Sequence, residues 1–151
     1  MTEKEKKLLI TDLAARTAFG VMVEQSLYPH VEKEQWLKSV QKNDAVQLYW
    51  YKYINEFVPI HCVKPYLRPL SSMTDKEKEE CCSIFNGSMY QFEVNEYGDV
   101  ESTKETVERE RIYYDCELMA EWMNWLNEHH FDFRGLIEKG LAIEAPKDMY
   151  K

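Results

Sequence analysis

Between Trp125 and Pro146 the chain reads WLNEHHFDFRGLIEKGLAIEAP, and His129, His130, Asp132 and Arg134 fall close together in it. Imidazoles beside a carboxylate can hold a metal ion or move protons. Zinc, however, needs three or four converging ligands, commonly supplied by spaced pairs. Adjacent histidines on a helix point roughly a hundred degrees apart and do not readily serve one ion. The remaining ligand types, His61, Cys62, Cys81, Cys82 and Cys116, form neither a C-x-x-C nor an H-x-x-x-H spacing. Cys62 follows His61 directly, and neighbours on a strand face opposite ways, which disfavours a thiol–imidazole pair. The glycines stand singly at 20, 87, 98, 135 and 140, so no phosphate-cradling loop is present. No G-x-S-x-G or H-E-x-x-H occurs.

The same stretch explains itself as a joint. The spacing predicts a helix ending near His129, where a histidine suits the exposed carbonyls and the negative end of the dipole. Asp132 is expected to cap a new short helix, with Phe131 and Leu136 as its hydrophobic staple. Gly140 falls where a left-handed stop favours glycine, Leu141 can touch Leu136, and Pro146 prevents resumption. Nothing in the caps requires Arg134. It is left to pair with an acidic side chain, to hold the Pro-rich segment at 64–70, or to face a partner.

The elements around this joint follow from pattern. Thr2-Glu3-Lys4-Glu5 is a capping box opening a helix over about 3–17, with Gly20 as its stop. Short strands are expected at 21–24, 36–40, 45–54 and 57–63, with QKND as a hairpin turn and Pro59 confining the fourth to an edge or a bend. Pro65 and Pro69 make 64–74 an extended strap. Thr74 to Glu77 repeats the capping box and opens a helix over about 75–85, ended by Asn86-Gly87. Residues 88–94 and 100–107 read as a hairpin around Gly98-Asp99, with 103–114 divided between strand and helix formers. Asp115 can cap a helix whose stripe is Leu118, Trp122, Trp125 and Leu126.

With 151 residues, 44% apolar and 13% aromatic, the chain is expected to build one domain with a core of its own. Its subregions are 1–63, the 64–74 strap and 75–151. The expected class is α+β: a small bent antiparallel sheet or partial barrel, an N-terminal helix, and two or three C-terminal helices packed on it. The net charge of −8 opposes direct binding to nucleic acid or to an anionic membrane. No apolar run reaches the length of a membrane span, and the N-terminus lacks a signal-peptide pattern. A cytoplasmic protein with reduced cysteines is the expectation.

Within LYWYKYI, strand geometry puts Tyr49, Tyr51 and Tyr53 on one face and Leu48, Trp50 and Ile54 on the other. The tyrosine row is either covered by another layer, the preferred reading, or exposed as a contact surface. Stacking of nucleobases on it would need more positive charge than Lys52, Lys64 and Arg68 supply.

Two blocks, VKPYLRPLSSMTDKEKEE (63–80) and WLNEHHFDFRGLIEKGLAIEAPKDMY (125–150), resemble a family of small proteins without assigned activity, associated with prophages and other mobile elements of anaerobic gut bacteria. The resemblance implies a bacterial or phage cytosolic context and an accessory role. It carries no catalytic residue, cofactor or metal across. The expected function is therefore a non-enzymatic interaction protein with a protein partner. Its candidate surface comprises Tyr49, Tyr51, Tyr53, Tyr66, Arg68, His129, His130, Asp132 and Arg134. The alternatives are an acidic inhibitor that mimics nucleic acid, and a small enzyme or metal protein using the His129/His130 corner or the His61-Cys62 pair.

Overall fold

The computed structural model describes residues 1–29, 31–41, 44–49, 57–84, 92–94, 100–102 and 112–150; for 49, 92–94, 100–102 and 112–116 it describes the backbone alone. The fold is α+β. The chain divides into two compact units, one made of 1–68 and 134–151, the other of 69–133.

The first unit opens with helix α1 (Glu3–Arg16). Both arms of its capping box form: Thr2 N donates to Glu5 Oε2 at 2.7 Å, and Glu5 N donates to Thr2 Oγ1 at 3.3 Å. A short 3-10 turn continues it over Thr17–Phe19, and Gly20, at φ 68°, ends it in a left-handed conformation that glycine adopts at little cost. Beyond it lie strands β1 (Met22–Gln25), β2 (Glu34–Val40), β3 (Ala45–Tyr49), β4 (Phe57–Pro59) and β5 (Val63–Leu67). They form a six-stranded open sheet in the order β4-β3-β2-β1-β5-β8, where β8 is Ile143–Glu144. The hairpin expected around QKND is the β2–β3 pair, with its register shifting between Leu37 and Ser39.

Pro59 does what a proline must: it ends an edge strand, and a 3-10 turn over Ile60–Cys62 follows. Pro65 corrects the expectation of a bare strap, because it lies within β5, an interior strand. The ladder tolerates it locally. Pro65 sits opposite Val23 of β1, whereas β8 pairs only with Tyr66 and Leu67. At Pro65 the strand therefore has a neighbour on one side alone. The β5–β8 pairing is parallel, so the sheet is mixed rather than antiparallel.

Alternation puts Leu37, Val46, Leu48 and Val58 on the sheet's inner face, with Val23, Val63 and Leu67 from the other strands. Leu9 and Leu13 of α1, and Leu136 and Leu141 from the C-terminal segment, complete this core. Fully burying each such side chain stabilises the fold by about 1.5–3 kcal/mol.

The second unit holds α2 (Asp75–Ile84), the hairpin β6 (Phe92–Val94) and β7 (Val100–Ser102), and α3 (Ile112–Glu128). The second capping box forms as expected between Thr74 and Glu77. Helix α3 starts earlier than Asp115, which is therefore inside the helix rather than at its cap; the strand reading of 112–114 gives way to the helix even though Ile112, Tyr113 and Tyr114 are only middling helix formers. Trp122 and Trp125 pack with Leu126, Phe131, Met73, Leu70 and Phe133. Asn86-Gly87, the Gly98-Asp99 turn and 103–111 lie outside the described residues.

Candidate functional site

The histidine corner is a helix stop. His130 N donates to Asn127 O at 3.2 Å, and Phe131 N donates to Leu126 O at 2.9 Å. That pair of bonds is the Schellman closure, which needs a left-handed residue, and His130 supplies it at φ 60°. His129 serves the same carbonyl twice. Its backbone N and its ring Nδ1 lie 3.0 and 2.9 Å from Trp125 O. A carbonyl only accepts, so Nδ1 carries the proton. The ring also stacks on Trp125, with centroids 4.1 Å apart. His130 is buried, as is Asp132.

The expected short helix after Asp132 does not form. Residues 133–139 make turns, because Gly135 adopts φ 63°, which no right-handed helix accommodates. Phe131 belongs to the cluster around Leu126, and Leu136 to the core of the sheet unit. The expected stop at Gly140 does form, at φ 67°: Gly140 N bonds to Ile137 O and Leu141 N to Leu136 O, both at 2.9 Å.

Arg134 pairs with an acidic side chain, the first of the three roles open to it. Its Nη1 donates to Asp12 Oδ1 at 2.7 Å. Arg16 holds the same carboxylate, with Nε on Oδ2 at 2.8 Å and Nη2 on Oδ1 at 3.1 Å. Asp12 and Arg16 are both 0% exposed. Two guanidinium groups on one buried carboxylate satisfy its lone pairs and offset part of the desolvation cost. The sequence carries a signal for this. Leu9, Asp12, Leu13 and Arg16 form one i, i+3, i+4, i+7 stripe, so an acid and a base lie on the buried face of α1.

Tyr66 is also internal. Its hydroxyl donates to Glu34 Oε1 at 3.3 Å, and burial, with Glu34 and Glu24 nearby, pushes the phenol up to about 12. Tyr150 reaches the same strand: its hydroxyl accepts from Met22 N at 3.2 Å and donates to Tyr66 O at 2.8 Å. Met22 and Tyr66 are the next pair in the β1–β5 register after Val23 and Pro65. The phenol thus bridges two backbone groups where the ladder stops. Burial raises its pKa as well.

Of the expected contact surface, then, Tyr66, His130 and Asp132 are buried, Arg134 is committed to Asp12, and His129 and Arg68 are half-buried. Tyr51 and Tyr53 lie outside the described residues, and of Tyr49 only the backbone in β3 is described. His61 is exposed and Cys62 half-buried on a 3-10 turn, not on a strand. Cys81 is buried, receives Trp122 Nε1 on its sulfur at 3.3 Å, and has its thiol pKa raised by burial. Among the described residues no three His, Cys, Asp or Glu side chains gather in a metal-ligating group. No described helix is long and apolar enough to cross a membrane.

The outer face of the sheet presents large apolar groups. Trp36 on β2 is 43% exposed and Phe57 on β4 is 52% exposed. Their strand neighbours Leu37 and Val58 point into the core, so both aromatics stand on the opposite face. Comparison with known proteins finds no matching family model, no similar curated protein and no similar solved structure.

Proposed function

We propose that this protein is a non-enzymatic interaction module, an accessory protein of a prophage or other mobile element, and that it engages a protein partner through the outer face of its sheet. The observation that supports this is the exposure of Trp36 and Phe57 together on that face. Exposed tryptophan is the side chain most enriched among interface anchors, because it buries a large area at small entropic cost. The polar groups at the histidine corner, by contrast, serve backbone closures and internal pairs. An acidic mimic draws no support from this face: the row Lys64, Glu24, Glu34 across β5, β1 and β2 mixes charge.

The test is capture of a partner from a host lysate by two baits, wild type and Trp36→Ser/Phe57→Ser. One identified protein should be retained by the first and lost by the second, with folding stability unchanged within about 0.5 kcal/mol. Equal retention by both baits, or capture by neither, contradicts the proposal.

A further inference from the structure

The outer face of the sheet carries a one-way row of hydrogen bonds that ends between its two exposed aromatics. Gln41 Nε2 donates to Ser39 Oγ at 2.8 Å, and the Ser39 hydroxyl donates to Gln47 Oε1 at 3.3 Å. The row therefore ends on Gln47 Nε2, a group with two N–H donors and no acceptor. Register puts Gln47 opposite Ser39 on one side and opposite Phe57 on the other. Trp36 leans towards the same row. A Cβ on Gly20 would stand 3.9 Å from its Cε3 and Cζ3, and Gly20 lies two residues from Met22, the partner of Trp36, in the direction of Ser39.

A row that ends on a donor calls for a ligand rich in acceptors and poor in donors. Polyproline II backbone has that chemistry: it makes no internal hydrogen bonds, so its carbonyls are free, and each proline lacks an N–H. A helical segment has its carbonyls already bonded. Three residues of polyproline II span roughly 9.3 Å, and β2 and β4, two strand spacings apart, are separated by roughly 9.5 Å. Prolines one repeat apart thus match Trp36 and Phe57. The charge beyond Trp36 is ordered as well. Glu34, two residues before it on the same face, stands opposite Glu24, and Lys64 stands on the far side of Glu24. Like charges directly opposite each other repel, and a cation arriving beside Trp36 meets these two carboxylates before it meets the lysine.

We infer, on the reading that this face meets a protein partner, that its occupant is a proline-rich segment carrying an arginine or lysine. Prolines lie on Trp36 and Phe57, a backbone carbonyl accepts from Gln47 Nε2, and the cation sits at Glu34.

The probe is a blocked peptide of two Pro-Pro-Leu repeats followed by Pro-Pro-Arg, added to the whole chain and followed by amide chemical shifts. It should bind saturably, with a Kd below about 1 mM, and the shifts should centre on 34–41, 45–48 and 57–59. The same peptide with alanine for every proline should bind roughly tenfold more weakly or worse. Gln47→Met should weaken the proline peptide several-fold by removing the donor. Glutamate in place of the peptide's arginine should weaken binding to wild type, and Glu34→Lys should reverse that preference, which a mere change in folding would not do. Equal binding of the proline and alanine peptides, shifts centred elsewhere, a preference unchanged in Glu34→Lys, or saturable binding of a neutral oligosaccharide in place of the peptide would overturn the assignment. If the peptide fails while Trp36→Ser/Phe57→Ser still loses a captured partner, the face is a protein contact and only this occupant is wrong; if no partner is lost either, both fall.

Discussion

The chain stops itself twice in one short stretch, at His130 and again at Gly140, with the same pair of backbone hydrogen bonds each time. Both stops need a left-handed residue. At Gly140 the sequence uses the residue that adopts this conformation freely, in an exposed position where an added Cβ meets nothing within 4 Å. At His130 it uses a residue for which that conformation costs about 1 kcal/mol or more, and then buries the side chain. A stop that needed only backbone geometry would take glycine in both places. The histidine must therefore contribute through its ring, and its burial points to packing as the contribution.

The largest expected effect breaks the segment between the two stops. Arg134, which lies there, anchors it on Asp12, whose other partner is the fully buried Arg16. Asp12→Ala would leave Arg16 buried without its carboxylate, and chemical denaturation should show a loss of about 3–5 kcal/mol. A loss below about 1 kcal/mol would mean that the stops alone hold the segment. Arg134→Met should cost clearly less, because Arg16 still satisfies Asp12.

Next is the latch that follows the glycine stop. Tyr150→Phe removes the hydroxyl that bridges Met22 N and Tyr66 O, and should cost about 1–3 kcal/mol by leaving both backbone groups unsatisfied. The same pair of phenols sets an alkaline limit. Their folded pKa values are raised above the ordinary value of 10.0, Tyr66 to about 12 and Tyr150 also upward. Folded protein therefore holds protons that unfolded chain releases. This stabilisation is complete below pH 10 and is lost as pH climbs through about 12. Thermal midpoints measured across that window should fall less steeply in Tyr66→Phe than in wild type.

The smallest effect lies at the glycine stop itself. Gly140→Ala should cost about 1 kcal/mol, from backbone strain alone, since no atom crowds the new methyl group. A much larger loss would show packing at Gly140 that the geometry does not contain, and would blur the contrast with His130.

Local chemistry made much of this fold legible in the sequence. Both Thr–Glu capping boxes, the glycine stops at 20 and 140, the β2–β3 hairpin and the edge position of Pro59 all depend on residues close together in the chain. What stayed hidden depends on distant partners. The place of Pro65 inside an interior strand follows from how little of β5 is covered by β8. The histidine at φ 60° gives little sign in a sequence, because histidine, although enriched there among non-glycine residues, adopts that conformation at only a small share of positions. Arg134 announced itself as unexplained, but its partner lies on α1, at the far end of the chain. The stripe carrying Asp12 and Arg16 was readable, and a charge on an otherwise apolar helix face is the signal that would have found it.

The denaturant midpoint of His130→Gly, measured beside His130→Ala, tests most directly whether this corner is architecture. A buried structural ring predicts that both variants are less stable than wild type, with the glycine variant the better of the two by about 1 kcal/mol because the backbone strain is relieved. A His130→Gly protein more stable than wild type would contradict it. The ring would then be tolerated at a cost, as functional residues are, and the corner would be a chemical site after all.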